Sequence, residues 1–220
     1  MIKNFDLSKI LKTALKNGGD FADIYAEHVE GLQIISEGRK IEKVNPTLDR
    51  GIGIRVIWRD KTAYGFTNVI SEKSLLTLAN SVAEAVRAEK FEKEFSLQTI
   101  PHHLEMAVEK IPEHFNLSQK REFILRAESV AWATDPRIKQ VKVLYGDILK
   151  KFSTANSLGE MTAEERIYTL FFVQVVAEEN GLLQTGYHPV GGVLGLELLE
   201  ETPPEEVAKK AIHQAMLMLY

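Results

Sequence analysis

The sequence contains no cysteine in its 220 residues. Disulfide bonds and thiolate chemistry are therefore excluded, and the chain is compatible with a reducing compartment. Its first six residues show no signal-peptide pattern and lead directly into a predicted helix. We expect a cytoplasmic protein.

Long apolar runs and clusters of positive charge are also missing. No apolar stretch approaches the roughly 20 residues that a membrane-spanning helix needs, so we expect no membrane partner. Acidic residues number 31 against 27 lysines and arginines, and no basic run exceeds two residues. Proteins that bind nucleic acid concentrate positive charge on one surface, so nucleic acid is not an expected partner.

Apolar periodicity predicts helices and strands in an order that occurs twice. A first helix covers residues 7–17 and a second begins after Ser71. A third begins after Ser118 and stops at an Asp-Pro pair. The last begins in the Thr-Pro-Pro-Glu sequence at residues 202–205, with the threonine as N-cap.

The sequence thus predicts an α+β fold of two successive helix–antiparallel strands–helix units that form mixed α/β layers. The first unit covers residues 1–95, residues 96–117 form a connection, and the second unit covers residues 118–220. An alternative is one integrated N-terminal domain of a larger protein. Turns within the extended segments are predicted at Glu30-Gly31, Glu37-Gly38, Asn45-Pro46 and Asn180-Gly181.

Residues 51–67 predict a β-hairpin. Apolar residues alternate with glycines and an arginine over residues 51–58, which gives one apolar face. After a polar turn, Tyr64 and Phe66 place aromatic rings on one face of the return strand. Two alternate glycines leave one face bare for another backbone or an extended ligand. The simpler interpretation is a close contact inside the sheet.

Three motifs in this part of the chain form an ordered set. They are Gly-Asp-Phe-Ala-Asp-Ile-Tyr at 19–25, Asp-Arg-Gly-Ile-Gly-Ile-Arg at 49–55 and Lys-Thr-Ala-Tyr-Gly-Phe-Thr-Asn at 61–68. A weaker similarity lies in Gly-Gly-Val-Leu-Gly-Leu-Glu at 191–197. The set resembles the N-terminal half of proteins of the TldD/PmbA family. Members of this family are called modulators of DNA gyrase and are understood to be metallopeptidases. TldD-type proteins are the closer match.

The resemblance implies a zinc-dependent metallopeptidase whose His-Glu-x-x-x-His helix lies in a C-terminal domain. No histidine of this chain is followed by glutamate with a second histidine at helical spacing. We therefore assign no catalytic or metal-binding residue here and expect zinc only in a missing C-terminal half. The six histidines are His28, His102, His103, His114, His188 and His213.

A glycine-rich loop is predicted at residues 186–192 as a contact for a peptide or a partner. Its glycines permit close approach of a backbone, and its tyrosine and histidine add an aromatic face and a hydrogen-bonding head. The family has an arginine and a tyrosine where this chain has Val193 and Leu196, so a plain structural loop is the other interpretation. The candidate residues are Gly186, Tyr187, His188, Gly191 and Gly192.

Two further surfaces are candidates for binding. Asp49, Arg50 and Arg55 suggest an ion pair at the mouth of the hairpin. Exposed ion pairs add little stability, so this one would help to set the strand register or to bind a partner. The last helix ends in a strongly apolar stretch, which either docks into the core of its own domain or meets another chain. The interface residues predicted there are Met216, Leu217 and Leu219.

Three functions are consistent with these observations. The first is the non-catalytic N-terminal domain of a TldD-like metallopeptidase. It would shape the cavity and a dimer interface, and its partners would be unfolded peptide and a catalytic C-terminal half or a second TldD/PmbA-type subunit. The alternative is a free-standing interaction or regulatory module without protease activity. The third, an independent hydrolase based on His188 or on His102 and His103, lacks a visible set of nucleophile, base and orienting group.

Overall fold

The computed structural model describes residues 2–86, 95–101 and 108–219. It confirms the predicted α+β class. No helix among the described residues has the length and apolar character to cross a lipid bilayer. In chain order, the elements are α1 (Leu7–Ala14), β1 (Phe21–Glu37), β2 (Lys40–Trp58), β3 (Lys61–Thr67), α2 (Glu72–Ala85), β4 (Gln98–Thr99), a 3₁₀ turn (Pro112–His114), α3 (Leu117–Thr134), β5 (Ile138–Asn156), β6 (Glu160–Glu179), β7 (Leu182–Gly192), α4 (Leu198–Glu201) and α5 (Pro204–Leu217).

Hydrogen bonding orders the strands as β3-β2-β1-β5-β6-β4, and β7 pairs with β6. The predicted hairpin of β2 and β3 is confirmed, with antiparallel pairing from Ile52 opposite Thr67 to Trp58 opposite Lys61. The predicted Asn180-Gly181 turn joins β6 to β7, and both residues have the positive φ that such a turn requires. Because β3 ends this order, no strand among the described residues pairs with its outer edge.

The chain divides into two compact units that draw on non-consecutive segments. Unit 1 comprises residues 1–29, 48–104 and 150–165, and unit 2 comprises 30–47, 105–149 and 166–220. The long strands β1, β2, β5 and β6 contribute residues to both units. The predicted boundary at residues 96–117 follows chain order, whereas this division follows spatial contacts.

Unit 1 packs α1 and α2 against one face of its strands. Ile52, Ile54 and Val56 of β2 are buried in this core, as predicted from their alternation, and Leu75 of α2 is fully buried against them. The side chain of Asp6 accepts a hydrogen bond from the Lys9 backbone N–H and caps α1. Both helices lie on the core side, so none of the helices that the structure describes covers the opposite face of these strands.

Unit 2 packs α3 and α5 against its strands around the buried Phe171 of β6 and Tyr145 of β5. Helix α3 begins at Leu117, two residues earlier than predicted, because Asn116 and Gln119 form a reciprocal capping box. The predicted threonine cap of α5 is wrong. Thr202 ends α4, Pro203 precedes the helix, and Pro204 occupies its first position.

Three other predictions of local structure are wrong. Helix α1 ends at Ala14, not at residue 17. Glu30-Gly31 and Asn45-Pro46 are not turns, since both lie inside continuous strands. A Cβ at Gly31 would lie 2.6 Å from the carbonyl oxygen of Asp147, so this glycine permits close approach of a neighbouring backbone. Pro46 lies outside the stretch of β2 that pairs with β3, where no N–H is required on that side.

Candidate functional site

An open cleft lies on the helix-free face of unit 1, where β1, β2 and β3 run side by side. Its volume is about 330 Å³. Tyr64 and Phe66 project from β3 with 64% and 75% of their surfaces exposed, and their rings stack with centroids 6.5 Å apart. The residues that line it are Tyr25, Glu27, Asp49, Arg50, Gly51, Ile52, Gly53, Tyr64, Phe66 and Asn68. Two predicted site residues, Asp49 and Arg50, therefore lie beside a cleft.

The two glycines of β2 form the floor of this cleft and differ in what covers them. A Cβ at Gly53 would lie 2.7 Å from the hydroxyl oxygen of Tyr64, so the tyrosine ring occupies the space above this glycine. A Cβ at Gly51 would meet only the carbonyl oxygen of Thr67, at an ordinary 3.5 Å. The bare face predicted from the alternate glycines is thus filled at Gly53 and open at Gly51.

Arg55 lies on the same face, but its partner is not the predicted one. Its Nε and Nη2 atoms donate to the two carboxylate oxygens of Asp23 at 3.0 and 2.5 Å, a bidentate pair between β2 and β1. Hydrogen bonding to Asp23, aided by its charge, raises the pKa of Arg55. The predicted ion pair at the hairpin mouth is therefore wrong for Arg55, because its partner is Asp23 and not Asp49. The charge of Arg55 is compensated within the sheet.

A second compensated pair borders the cleft at Glu27. Lys150 lies 2.5 Å from the Glu27 carboxylate, and the Tyr25 hydroxyl donates to the same carboxylate. These two hydrogen bonds, that of Lys150 first, lower the pKa of Glu27. Burial and the contact with Glu27 raise the pKa of Tyr25. The Tyr25 ring also lies 6.2 Å from the ring of Phe152. The cleft wall formed by β1 is therefore aromatic, and the charge of Glu27 beside it is paired with that of Lys150.

The edges of β3 and β7 differ in their access to a pairing strand. On β7, the Tyr187 N–H donates to the Gln214 side chain of α5 at 2.9 Å. Two residues further on, Pro189 has no N–H to offer. Residues two apart on a strand direct their backbone groups to the same side, so the outer edge of β7 is blocked there. Strand β3 contains no proline in its seven residues, and its edge remains suited to pairing.

The predicted loop at residues 186–192 is wrong, because these residues form most of β7. Tyr187 and His188 point to opposite faces of the strand. The tyrosine ring lies 5.2 Å from Phe172, while burial, followed by the charge of Lys210, lowers the pKa of His188. Tyr187 and His188 therefore cannot contact one ligand together on the same face of the strand.

The glycines of β7 have structural contacts. A Cβ at Gly186 would lie 1.8 Å from the Ala211 carbonyl oxygen, so Gly186 allows α5 to pack directly on the strand. A Cβ at Gly191 would lie 3.1 Å from the Thr169 carbonyl oxygen, whereas Gly192 meets only Leu194 at 3.6 Å. Gly186 thus needs glycine for close packing, whereas Gly191 makes a tight contact and Gly192 an ordinary one.

The apolar end of α5 is divided between core and surface. Leu219 is only 8% exposed and Met216 packs against the same core of unit 2. Leu217 is 62% exposed and the neighbouring Met218 is half-exposed. Of the three predicted interface residues, Leu217 is therefore the one that a partner can reach without opening the core.

A zinc site does not fit the donors in the described parts of the chain. Within residues 2–86, 95–101 and 108–219, no group of three or more histidine, aspartate or glutamate side chains is arranged to hold a metal ion. His102 and His103, the basis of the hydrolase hypothesis, lie outside the described residues.

The cleft also contains residues that sequence reasoning did not select. The sequence patterns do not select Tyr25 and Glu27 of β1, and they place Tyr64 and Phe66 only on one face of a strand. Alternation of the small or apolar Ala22, Ile24 and Ala26 with Asp23, Tyr25 and Glu27 is a signal in the sequence that puts Tyr25 on the opposite face. No short sequence pattern indicates that β1 lies beside β2 in the register that brings Tyr25 to the cleft.

Models of one protein family match most of the chain. The PmbA/TldA metallopeptidase domain 1 matches residues 22–89, and the central domain matches residues 110–219. A metalloprotease of Methanocaldococcus jannaschii is 28% identical over 201 residues, which cover 89% of this chain and 44% of the relative. A metalloprotease TldD homolog of Haemophilus influenzae is 23% identical over 207 residues, covering 91% of this chain and 43% of the relative. The chain spans less than half the length of these relatives.

Solved structures show the same fold. TldE from Thermococcus kodakarensis has a TM-score of 0.68 at 15% identity, covering 94% of this chain and 47% of TldE. A Thermotoga maritima protein described as a candidate modulator of DNA gyrase has a TM-score of 0.73 at 20% identity, covering 96% of this chain and 47% of that protein. The chain therefore belongs to the PmbA/TldD metallopeptidase family, of which it carries the first and central domains.

Proposed function

We propose that this chain is the non-catalytic N-terminal part of a TldD-like zinc-dependent metallopeptidase, in which it holds an unfolded peptide in extended form. The observation that carries the proposal is the free edge of β3 beside the open aromatic face. Its action would be cytoplasmic, and it would form part of the wall of a proteolytic cavity. The zinc chemistry would belong to a catalytic C-terminal half.

Backbone pairing explains why an edge strand suits such a substrate. An extended peptide laid along β3 satisfies its own N–H and C=O groups and those of the strand, whatever its sequence. The seven residues of β3 offer a ladder over most of a short peptide. The blocked edge of β7 would direct the peptide to β3, because Gln214 and Pro189 leave β7 fewer free donors.

The partner would be a catalytic C-terminal half or a second TldD/PmbA-type subunit. Relatives are more than twice as long as the aligned region, so the family's remaining half is a candidate for contact with this chain. Leu217 is a large apolar side chain on the surface of α5. A partner that covers it would gain the free energy of removing that surface from water.

Co-expression with the C-terminal half of the Methanocaldococcus jannaschii relative tests the partner role. We expect co-purification, and cleavage of an unfolded peptide by the complex only when both parts and zinc are present. Leu217→Asp should weaken co-purification while the thermal midpoint of the isolated chain changes little. Leu158→Asp is the matched control, since Leu158 is similarly exposed but lies in unit 1. A monomer that captures no C-terminal half would contradict the proposal.

The free-standing interaction module remains the second candidate. The edge of β3 requires no other part of the family to pair with a peptide. Peptide binding by the isolated chain, with no effect of the C-terminal half on binding or cleavage, would favour this module.

A further inference from the structure

The cleft of unit 1 is shaped to accept one large side chain. Its floor is the backbone of β2 at Gly51, where no side chain fills the space. Its walls are the rings of Tyr25, Tyr64 and Phe66, which come from strands on either side of β2. A glycine floor between aromatic walls allows a ring to lie flat on the backbone and contact other rings at its sides.

The electrostatics of the cleft favour an uncharged side chain. Arg55 and Lys150, which border the cleft, are already paired with Asp23 and Glu27. Asp49 and Arg50, of opposite charge, both lie among the residues that line the cleft. Because these charges balance, an incoming charge would meet no excess of the opposite sign, whereas an aromatic ring would gain contact with the aromatic walls.

We infer that this cleft is a specificity subsite for a large apolar residue, preferably aromatic, of the extended peptide. The inference rests on the proposed peptide-binding function and adds a preference to it. A strand paired to β3 lies about 5 Å beyond it and directs every second side chain to the face of Tyr64 and Phe66. Those rings form the near wall of the cleft, so a large apolar side chain on that face packs against them beside the space over Gly51.

Titration calorimetry on the isolated chain tests this inference with three peptides. Each has seven residues, is acetylated and amidated, alternates threonine with lysine, and carries phenylalanine, leucine or serine at its centre. We expect the phenylalanine peptide to bind about tenfold more tightly than the serine peptide, with leucine between them.

Substitutions then locate the preference. Gly51→Leu should fill the floor and remove the tenfold gain while leaving the affinity for the serine peptide within about twofold. Phe66→Ser should also remove the gain, and since Phe66 is largely exposed this variant should fold normally. Gly146→Leu, on β5 in unit 2, is the matched control, because a Cβ there has ordinary contacts of 3.8 Å or more.

The outcomes separate the two proposals. Equal affinity for all three peptides would overturn the subsite and leave backbone pairing in place. Absence of binding by every peptide would overturn the peptide-binding function and the subsite with it. A phenylalanine preference that survives both Gly51→Leu and Phe66→Ser would place the subsite elsewhere and overturn this assignment.

Discussion

Gly186 is the position where a single methyl group should disturb this fold most. It lies on β7 directly beneath α5, and an added Cβ would lie 1.8 Å from the Ala211 carbonyl oxygen and 2.6 Å from the Ala215 nitrogen. Both neighbours are backbone atoms of a helix whose buried face belongs to the core of unit 2. No rotation of a side chain can relieve this overlap.

The size of the effect follows from the movement required. Helix α5 would have to shift by more than about 1 Å to restore a tolerable contact, and overpacking of this kind costs roughly 3 kcal/mol. The shift would also strain the bond from the Tyr187 N–H to Gln214, which contributes about 1 kcal/mol. We expect Gly186→Ala to lower the free energy of unfolding by about 4 kcal/mol, or the melting temperature by about 10 °C.

Urea denaturation followed by fluorescence of Trp132 measures this effect within unit 2. A Trp58→Phe background removes the other tryptophan, which lies in unit 1. The control is Gly192→Ala, on the same strand, where the Cβ would have an ordinary contact of 3.6 Å. Both changes reduce the entropy of the unfolded chain equally, so their difference reports the packing. Stabilities within 1 kcal/mol of each other would refute the reasoning.

Two ion pairs of unit 2, Arg137 with Asp135 and Lys120 with Asp147, give further predictions. Arg137, through its guanidinium and then its backbone N–H, lowers the pKa of Asp135 to about 2. Because this pKa lies below the unfolded value, the pair stabilises the fold above about pH 4 and ceases to do so as the pH falls through about 2. The stability difference between wild type and Asp135→Asn, from urea titrations, should shrink between pH 5 and pH 2; a constant difference would contradict the pairing. Lys120→Met should cost about 3 kcal/mol, since it removes the ion pair of buried Asp147 and leaves the Tyr145 hydroxyl as its remaining side-chain donor among the described residues. Adding Asp147→Asn should recover part of that loss, and a purely additive double variant would argue against coupling.

Local patterns predicted the elements whose causes are local. The Asn180-Gly181 turn needs two residues with positive φ, and the Asp6 cap needs one carboxylate three residues before its donor. The alternation in β2 reports one buried face whatever the neighbouring strands are. These features depend on residues within a few positions of each other, so a single sequence suffices.

Two of the failed predictions share a cause that lies far along the chain. Gly31 suggested a turn and Gly186 a loop, yet at each position a distant backbone, that of Asp147 or Ala211, packs against the glycine. Glycine required for close packing and glycine required for positive φ look the same in a sequence. The cleft was only half predicted for the same reason, since Tyr25 meets the hairpin through strand order and register.

The segment at residues 191–197, the weaker part of the resemblance, is held in place by backbone contacts. The Glu197 carboxylate accepts the backbone N–H groups of Gly195 at 2.7 Å and of Lys110 at 2.9 Å. Burial opposes its ionisation, but these backbone bonds outweigh it and lower the pKa of Glu197. A Cβ at Gly195 would lie 2.2 Å from the Lys110 carbonyl oxygen, and Leu196 is buried in the core. Gly195 and Glu197 thus join two segments of backbone, so their presence is explained by folding, and the preference for a substrate is better sought at β3 and its cleft.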